Sequence, residues 1–590
     1  MQLAVCEPVN ARQEAVHPLG SGANVLLTSV FGPYAQDDEY GSRTINPMEL
    51  AHNQLTRVQG PFSMRMCHRS WGLLFIQANI AAPCTCLDFP TLERFIEEIR
   101  THHYDIVGIG SIISNIGKVA KMCELIRKYQ PEATIVVGGH IANLPELDER
   151  IDADHIVHGE GIRWFRHYLG EDEDQPIRHP LLWSGSHRRA MGVSLPDSVD
   201  RTAAALIPSV GCPIGCNFCS TSHMFGGKGH FVNFYETGDE LFAIMCQLEE
   251  AMKVQSFFVM DENFLLHRQR ALRLLELMEE HNKSWSLYLF SSANALRTYT
   301  MEQLVGLGVS WVWIGLEGES SQYAKLRHTD THALVRELQA HGIWVLGSTI
   351  IGLEAHTPEN IDAAIDYAVS HDTEFHQFML YTPTPGTPLH AELARKGVLL
   401  SREEFSEADT HGQWRFNYRH PHIPPGAETA MLLRAFHKDY DTNGPSILRL
   451  VRTTLAGWRR HKDHPNPRIR NRYRANLHGY STVMAGALWA ARRWFRDNAV
   501  VARKMDGLLD EVYDACGWTA RAAAPVLGRI LLLTLKREDQ RLRGGWTIEP
   551  PTYYDQNDAA MAQGGGGRKA ARLRSVGVGP AGVTQAVGAT

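Results

Sequence analysis

The sequence predicts an α/β protein: a doubly wound N-terminal domain, a partial (β/α)6 barrel, and a C-terminal helical extension. Three observations predict it. From residue 24 to about 390, short apolar β-rich runs alternate with helix-spaced segments, the pattern of parallel sheets covered on both faces. A polar stretch with scattered Gly and Pro, 169–203, interrupts that alternation and reads as a linker. Beyond 400 only helical periodicity remains. At 590 residues the chain is too long for one ordinary domain.

In chain order, residues 1–23 read as a loose leader. NVLLTSVF (24–31), LLFIQANI (73–80), DIVGIGSI (105–112), TIVVGG (134–139) and HIVHGEG (155–161) read as strands. LERFIEEIR (92–100) and KVAKMCELIRKY (118–129) have helical spacing, so 24–168 forms the first domain. After the linker, strands are expected at 204–210, 256–261, 286–292, 310–318, 344–352 and 375–382, with helices at 240–253, 271–281 and 362–369. These six β/α units make a partial barrel over 204–400, with active groups expected at the carboxyl ends of the strands. Helices at 428–440, 444–461 and 502–515 define a helical region, 401–555. The Gly/Ala-rich tail, 556–590, lacks the apolar surface to order itself and reads as disordered.

Composition narrows the function classes. The formal charge of −6 shows no basic excess, so no nucleic-acid partner is expected. No uncharged apolar stretch of about 18 residues is found, so no membrane span is expected. MQLAVCEPVNARQEAV is not a secretory signal, which implies a cytoplasmic protein. In that setting the ten cysteines are thiols or metal ligands, not a disulfide framework.

The chemistry concentrates in PSVGCPIGCNFCSTSHMFGGKGH, 208–230. Cys212, Cys216 and Cys219 follow a strand directly, and Gly211, Pro213 and Gly215 prevent a regular helix. The loop can therefore curl so that three sulfurs converge. A four-iron cluster usually takes four thiolates, so three leave one iron open to a non-protein ligand. A structural zinc site is the bland alternative, but zinc ligands normally come in two separated pairs, and no second pair appears. Cys67, Cys84 and Cys86 lack the spacing.

CxxxCxxC after the first barrel strand resembles the radical S-adenosylmethionine superfamily motif. The resemblance implies a 4Fe-4S cluster whose open iron binds S-adenosylmethionine, cleaved by one electron to methionine and a 5′-deoxyadenosyl radical. It also implies an electron donor such as flavodoxin or ferredoxin. Phe218 matches the aromatic residue beside the adenine. VMDENF (259–264) resembles the acidic end of the second barrel strand, offering Asp261 and Glu262. WIGLEG (313–318) resembles the strand-four segment and places Glu317 near the cofactor. TIIGLEAHTPEN (349–360) resembles the strand-five turn, with Ile350 and Gly352 flanking the adenine. There the usual Pro-Gly-Glu reads Glu354-Ala355-His356, which puts a role for Glu354 in question. YTPTPGTPL (381–389) resembles the strand-six segment of the cobalamin-binding branch.

YDIVGIGSIISNIGKVAKMCELIRKYQPEATIVVGGHIANLPE with DADHIVHGEG resembles the Rossmann-like cobalamin-binding domain fused ahead of many such enzymes. A doubly wound sheet binds ligands outside its carboxyl strand ends, where Gly110, Ser111, Gly138, Gly139, Gly159 and Glu160 fall. The DxHxxG signature of an axial histidine is missing, so no histidine ligand to cobalt is expected. Together these resemblances imply C-methylation through cobalamin of an apolar, lipid- or isoprenoid-like substrate. Ring formation or rearrangement, methylthiotransfer and a non-catalytic cobalamin or iron–sulfur sensor are the alternatives. Trp458, Trp489 and Trp494 make the helical extension a candidate to cover such a substrate or to touch a membrane peripherally.

Overall fold

Seven strands build the first sheet. In chain order they are β1 (Val25–Thr28), β2 (Cys84–Asp88), β3 (Ile106–Gly110), β4 (Thr134–Gly138), β5 (His155–Val157) and, from the far C-terminus, β12 (Tyr553–Gln556) and β13 (Ala571–Arg572), in the spatial order β13-β12-β2-β1-β3-β4-β5. The second sheet runs β6 (Ala204–Leu206), β7 (Ser256–Val259), β8 (Ser286–Ser291), β9 (Val309–Gly315), β10 (Trp344–Ile351) and β11 (Phe375–Leu380), all neighbours parallel and in chain order. This computed structural model describes residues 15–34, 39–40, 45–46, 49–195, 203–317, 326, 329–563 and 570–577. Most of the expected leader and part of the expected tail lie outside them.

Four sequence expectations are corrected. LLFIQANI is not a strand: Trp71–Asn79 is a helix, and the neighbouring strand is CTCLD, β2. A short run apolar on every side fits a buried helix as well as a buried strand. Leu73, Leu74 and Phe75 are buried in one cluster with Val25 and Leu27 of the first sheet, Ala205 of the second and Ile207 just after it, so the two domains share a core. The linker is structured too. Ser186–Ala190 pairs with Arg65–Cys67 and with Val193–Ser194, and its polar look reflects side chains such as Arg189, which pairs with Glu538 at 2.6 Å.

The end of the expected helical region is a strand, and part of the expected tail is ordered. Tyr553–Gln556 lies antiparallel on β2, and Ser575–Val576 pairs with His179–Pro180. This segment needs little core of its own because it borrows the edge of an existing sheet. In the helical extension, Trp489 is buried and Trp458 and Trp494 pack against the same core, formed by Leu448, Leu488, Val501, Leu509 and Ala524. These three rings hold helices together and do not face outward. One helix comes close to a span without offering an uncharged stretch of that length. Trp518–Arg543 is 26 residues long and apolar enough to meet a span's length and composition, with only Arg521 and Arg529 interrupting its apolar stretch.

Candidate active site

The first barrel strand ends at Leu206, and after the short strand Ser209–Val210 the chain turns at Gly211 (φ +86°) into the cysteine loop. Gly215 (φ +65°) makes the second turn, where a Cβ would stand 2.6 Å from Lys228, so only glycine lets the loop close. The curl is pinned from several sides. Cys219 N–H donates to the Cys216 carbonyl at 3.0 Å, Gly229 N–H to Pro213 at 2.8 Å, and Leu389 N–H to Asn217 at 3.1 Å. The Ser222 hydroxyl donates to the Cys212 carbonyl. Burial pushes the Cys212 thiol up to about 12, and Cys219, Cys216 and Glu262 stand close enough to oppose its charge further. Such a cluster holds thiolates when a cation joins it.

The loop opens on a cavity of 660 Å³ between the two domains. Cys212, Cys216, Cys219, Phe218, Glu262, Glu317 and Ile350 all line it. The carboxyl strand ends thus bring together seven of the residues singled out in the sequence. Glu317 is buried and held at φ +51°, a backbone strain of about 1–3 kcal/mol for a non-glycine residue. Burial, with help from Asp261, pushes the Glu262 carboxyl up to about 8, although Gly211 N–H donates to it. Its Oε2 has no hydrogen-bond partner among the described residues.

Asp261 is placed differently. It accepts from Ser209 at 2.6 Å and pairs with Arg270, away from the cavity. Gly352 (φ +80°) lies under the Phe416 ring, and its N–H donates to His356 Nδ1 at 3.0 Å. It shapes the wall through Ile350 without lining it. Glu354 points to the surface, 3.8 Å from Lys396.

In the first domain, Gly110, Ser111, Gly138, Gly139, Gly159 and Glu160 do not line the cavity. Gly110 packs under Leu73, and a Cβ at Gly139 (φ +88°) would stand 2.5 Å from the Ser111 carbonyl, so both glycines serve packing. Glu160 caps the Gly161–Tyr168 helix. At the strand ends of this domain, the groups that face the cavity are Ile112, Ile113, Ser114 and His140, with Ile45, Leu50 and Gln54 beside them. Sequence reasoning missed them, although His140 directly follows the Gly-Gly strand end. It also missed Gln54, whose Oε1 accepts from Gln377 at 2.6 Å while Gln377 accepts from Ser348 at 2.7 Å. This ladder ties the 51–55 turn to β10 and β11.

Residues 75–169 match the B12 binding domain family, and residues 206–368 match the radical SAM superfamily. The chain carries a B12-binding domain followed by a radical SAM domain, the order of the cobalamin-binding radical S-adenosylmethionine enzymes. Similar proteins include an uncharacterised methyltransferase of Pyrococcus horikoshii, 25% identical over 53% of this chain and 74% of that protein. The bacteriochlorophyllide d C-8(2)-methyltransferase of Chlorobaculum tepidum is 24% identical over 52% of this chain and 74% of its own length. Among solved structures, the methyltransferase TsrM from Kitasatospora setae, with cobalamin and a 4Fe-4S cluster bound, aligns over 77% of this chain and 99% of its own. Its identity is 16% and its TM-score 0.47.

The cofactors of this radical enzyme are a 4Fe-4S cluster, S-adenosylmethionine and cobalamin. The residues present fit them. Three thiols share one loop, an acceptor oxygen of Glu262 stands unpartnered beside it, and apolar strand ends of the first domain close the opposite wall.

Proposed function

We propose that the enzyme transfers a methyl group to a carbon centre of an apolar, lipid- or isoprenoid-like substrate. The carrying observation is a cavity that reaches from the cysteine loop to the cobalamin-domain side through a largely apolar wall, Ile45, Leu50, Ile112, Ile113 and Met379 among its lining. When bound, cluster and S-adenosylmethionine supply a hydrogen-abstracting radical, and cobalamin supplies the methyl carrier.

In this reading the chain's own residues hold, orient and shield. Cys212, Cys216 and Cys219 ligate the cluster. Glu262 and Glu317 present carboxylate oxygens to the polar end of S-adenosylmethionine. Phe218, whose ring is 6.2 Å from that of Tyr381, and Ile350 flank the adenine. Ser114 and His140 lie on the cobalamin side, while Ser111, Gly138, Gly139 and Gly159 set the strand ends behind them. The Gln54–Gln377–Ser348 ladder pairs both ends of the Gln377 amide within that wall.

The test is an anaerobic turnover with methyl-deuterated S-adenosylmethionine and a lipid extract containing the substrate. Methyl transfer gives one S-adenosylhomocysteine and one 5′-deoxyadenosine per product, and the product gains one labelled methyl group. Product with 5′-deoxyadenosine but without S-adenosylhomocysteine or label overturns methylation in favour of ring formation or rearrangement.

A further inference from the structure

The Trp518–Arg543 helix has two unlike faces. Ala520, Ala524, Gly528 and Leu535 are buried, and Gly528 lies so close under Trp489 that a Cβ would stand 2.4 Å from the ring. Thr534 donates to the Met191 carbonyl at 3.0 Å, which fixes the helix to the body of the protein. The other face is open. Trp518 is 79% exposed, Val526 57%, Ile530 54% and Leu533 57%. With Ala522 these follow each other at spacings of four, four, four and three residues, one continuous stripe of an α-helix. Only 22% of the helix's most apolar window is buried. From Trp518 to Arg537 the helix carries Arg521, Arg529, Lys536 and Arg537 and no acidic residue, in a chain whose formal charge is −6.

We propose that this face docks on the surface of a membrane containing anionic phospholipids. The apolar stripe has the composition of an in-plane interfacial helix, with a Trp at one end and arginines within reach of the headgroups. The long basic side chains lay their stems along the acyl boundary and place their charges at the phosphates. A spanning arrangement is excluded by the fixed face, which is already packed against Trp489 and Met191. Charge complementarity selects lipid over a second copy, since two such faces would bring eight like charges together. The proposal is independent of the substrate reading: either stands if the other fails.

The test is co-sedimentation of the purified full-length protein with phosphatidylcholine vesicles, with and without phosphatidylglycerol. The protein pellets with the anionic vesicles, and added salt weakens it. The Val526→Glu/Ile530→Glu/Leu533→Glu variant binds at least about ten-fold more weakly while its melting temperature and iron content stay unchanged, because these side chains point outward. The Arg529→Glu/Lys536→Glu/Arg537→Glu variant loses the salt-sensitive part of binding. Three results overturn the proposal: no pelleting of the wild type with anionic vesicles; equal binding by the triple-glutamate variant; or a dimer in solution that this variant dissolves while neither protein binds vesicles.

Discussion

Asp261 and Glu262 are neighbours with opposite fates. Asp261 and Arg270 are each 2% exposed at the side chain, and Asp261 also accepts from Ser209 and from Asn263 N–H. Breaking such a buried pair from one side costs about 3–5 kcal/mol. Asp261→Asn is therefore expected to lower the melting temperature of the whole protein, whereas Glu262→Gln leaves melting unchanged and raises the KM for S-adenosylmethionine. Thermal denaturation beside 5′-deoxyadenosine assays separates the two, and a stable Asp261→Asn variant would reverse the assignment. At the loop, Cys212→Ala, Cys216→Ala and Cys219→Ala should each lose most iron in anaerobic reconstitution. Cys84→Ala and Cys86→Ala should keep it, since both thiols are buried in β2. The cysteine pattern was legible because it is local in sequence. The split between Asp261 and Glu262 was not, because both follow the same strand and the deciding partner, Arg270, sits on the next helix.

At the scale of elements, the strand-five turn shows how a departure from a family pattern is absorbed. His356 Nδ1 accepts from Gly352 N–H at 3.0 Å and from Leu353 N–H at 3.2 Å, and the Tyr418 hydroxyl donates to the Gly352 carbonyl at 3.3 Å. A histidine can accept there only while neutral. Burial, then the nearby His420, holds its pKa below the usual 6.5. A depressed folded value means the unfolded chain binds more protons. The turn's contribution is therefore full above about 6.5 and is lost as pH falls from there through the folded value.

His356→Ala is expected to cost about 1–2 kcal/mol, to raise the KM for S-adenosylmethionine, and to remove the acid-side rise in KM that the wild type shows. An acid limb unchanged in the variant would assign the pH response elsewhere. The strand and its glycine could be read from the sequence. The histidine's role could not, because it depends on a turn geometry that places an imidazole nitrogen under two amides.

At the scale of the molecule, the first domain is not closed by its own residues. Its sheet edge, β2, is covered by Tyr553–Gln556 from the other end of the chain. Arg69 bridges Asp88 of that edge, at 3.2 Å, to Asp555 at 2.6 Å. Gln77 donates to the carbonyls of both Cys84 and Asp555, and Asn557 caps the amide of Cys84 at 3.0 Å. These contacts span the whole sequence, and no local pattern announces them: the tail's composition reads as disordered because its strand partners, Cys84–Asp88 and His179–Pro180, lie far back in the chain.

A chain ending at Pro550 would leave the β2 amides without their ladder and Arg69 with only one of its two carboxylate partners, the fully buried Asp88. Loss of a buried partner of this kind costs about 1–3 kcal/mol for each polar group left unpaired. The hydrogen bonds that pin the cysteine loop involve none of the removed residues, so the truncated chain is expected to load iron normally, although the barrel loses Gly577 as a partner of Gln247. Amide exchange should rise across 84–88, and bound corrinoid should be retained less well after desalting. Exchange at 84–88 equal to that of the full chain, with corrinoid retained in full, would show that the first domain closes without its distant strand.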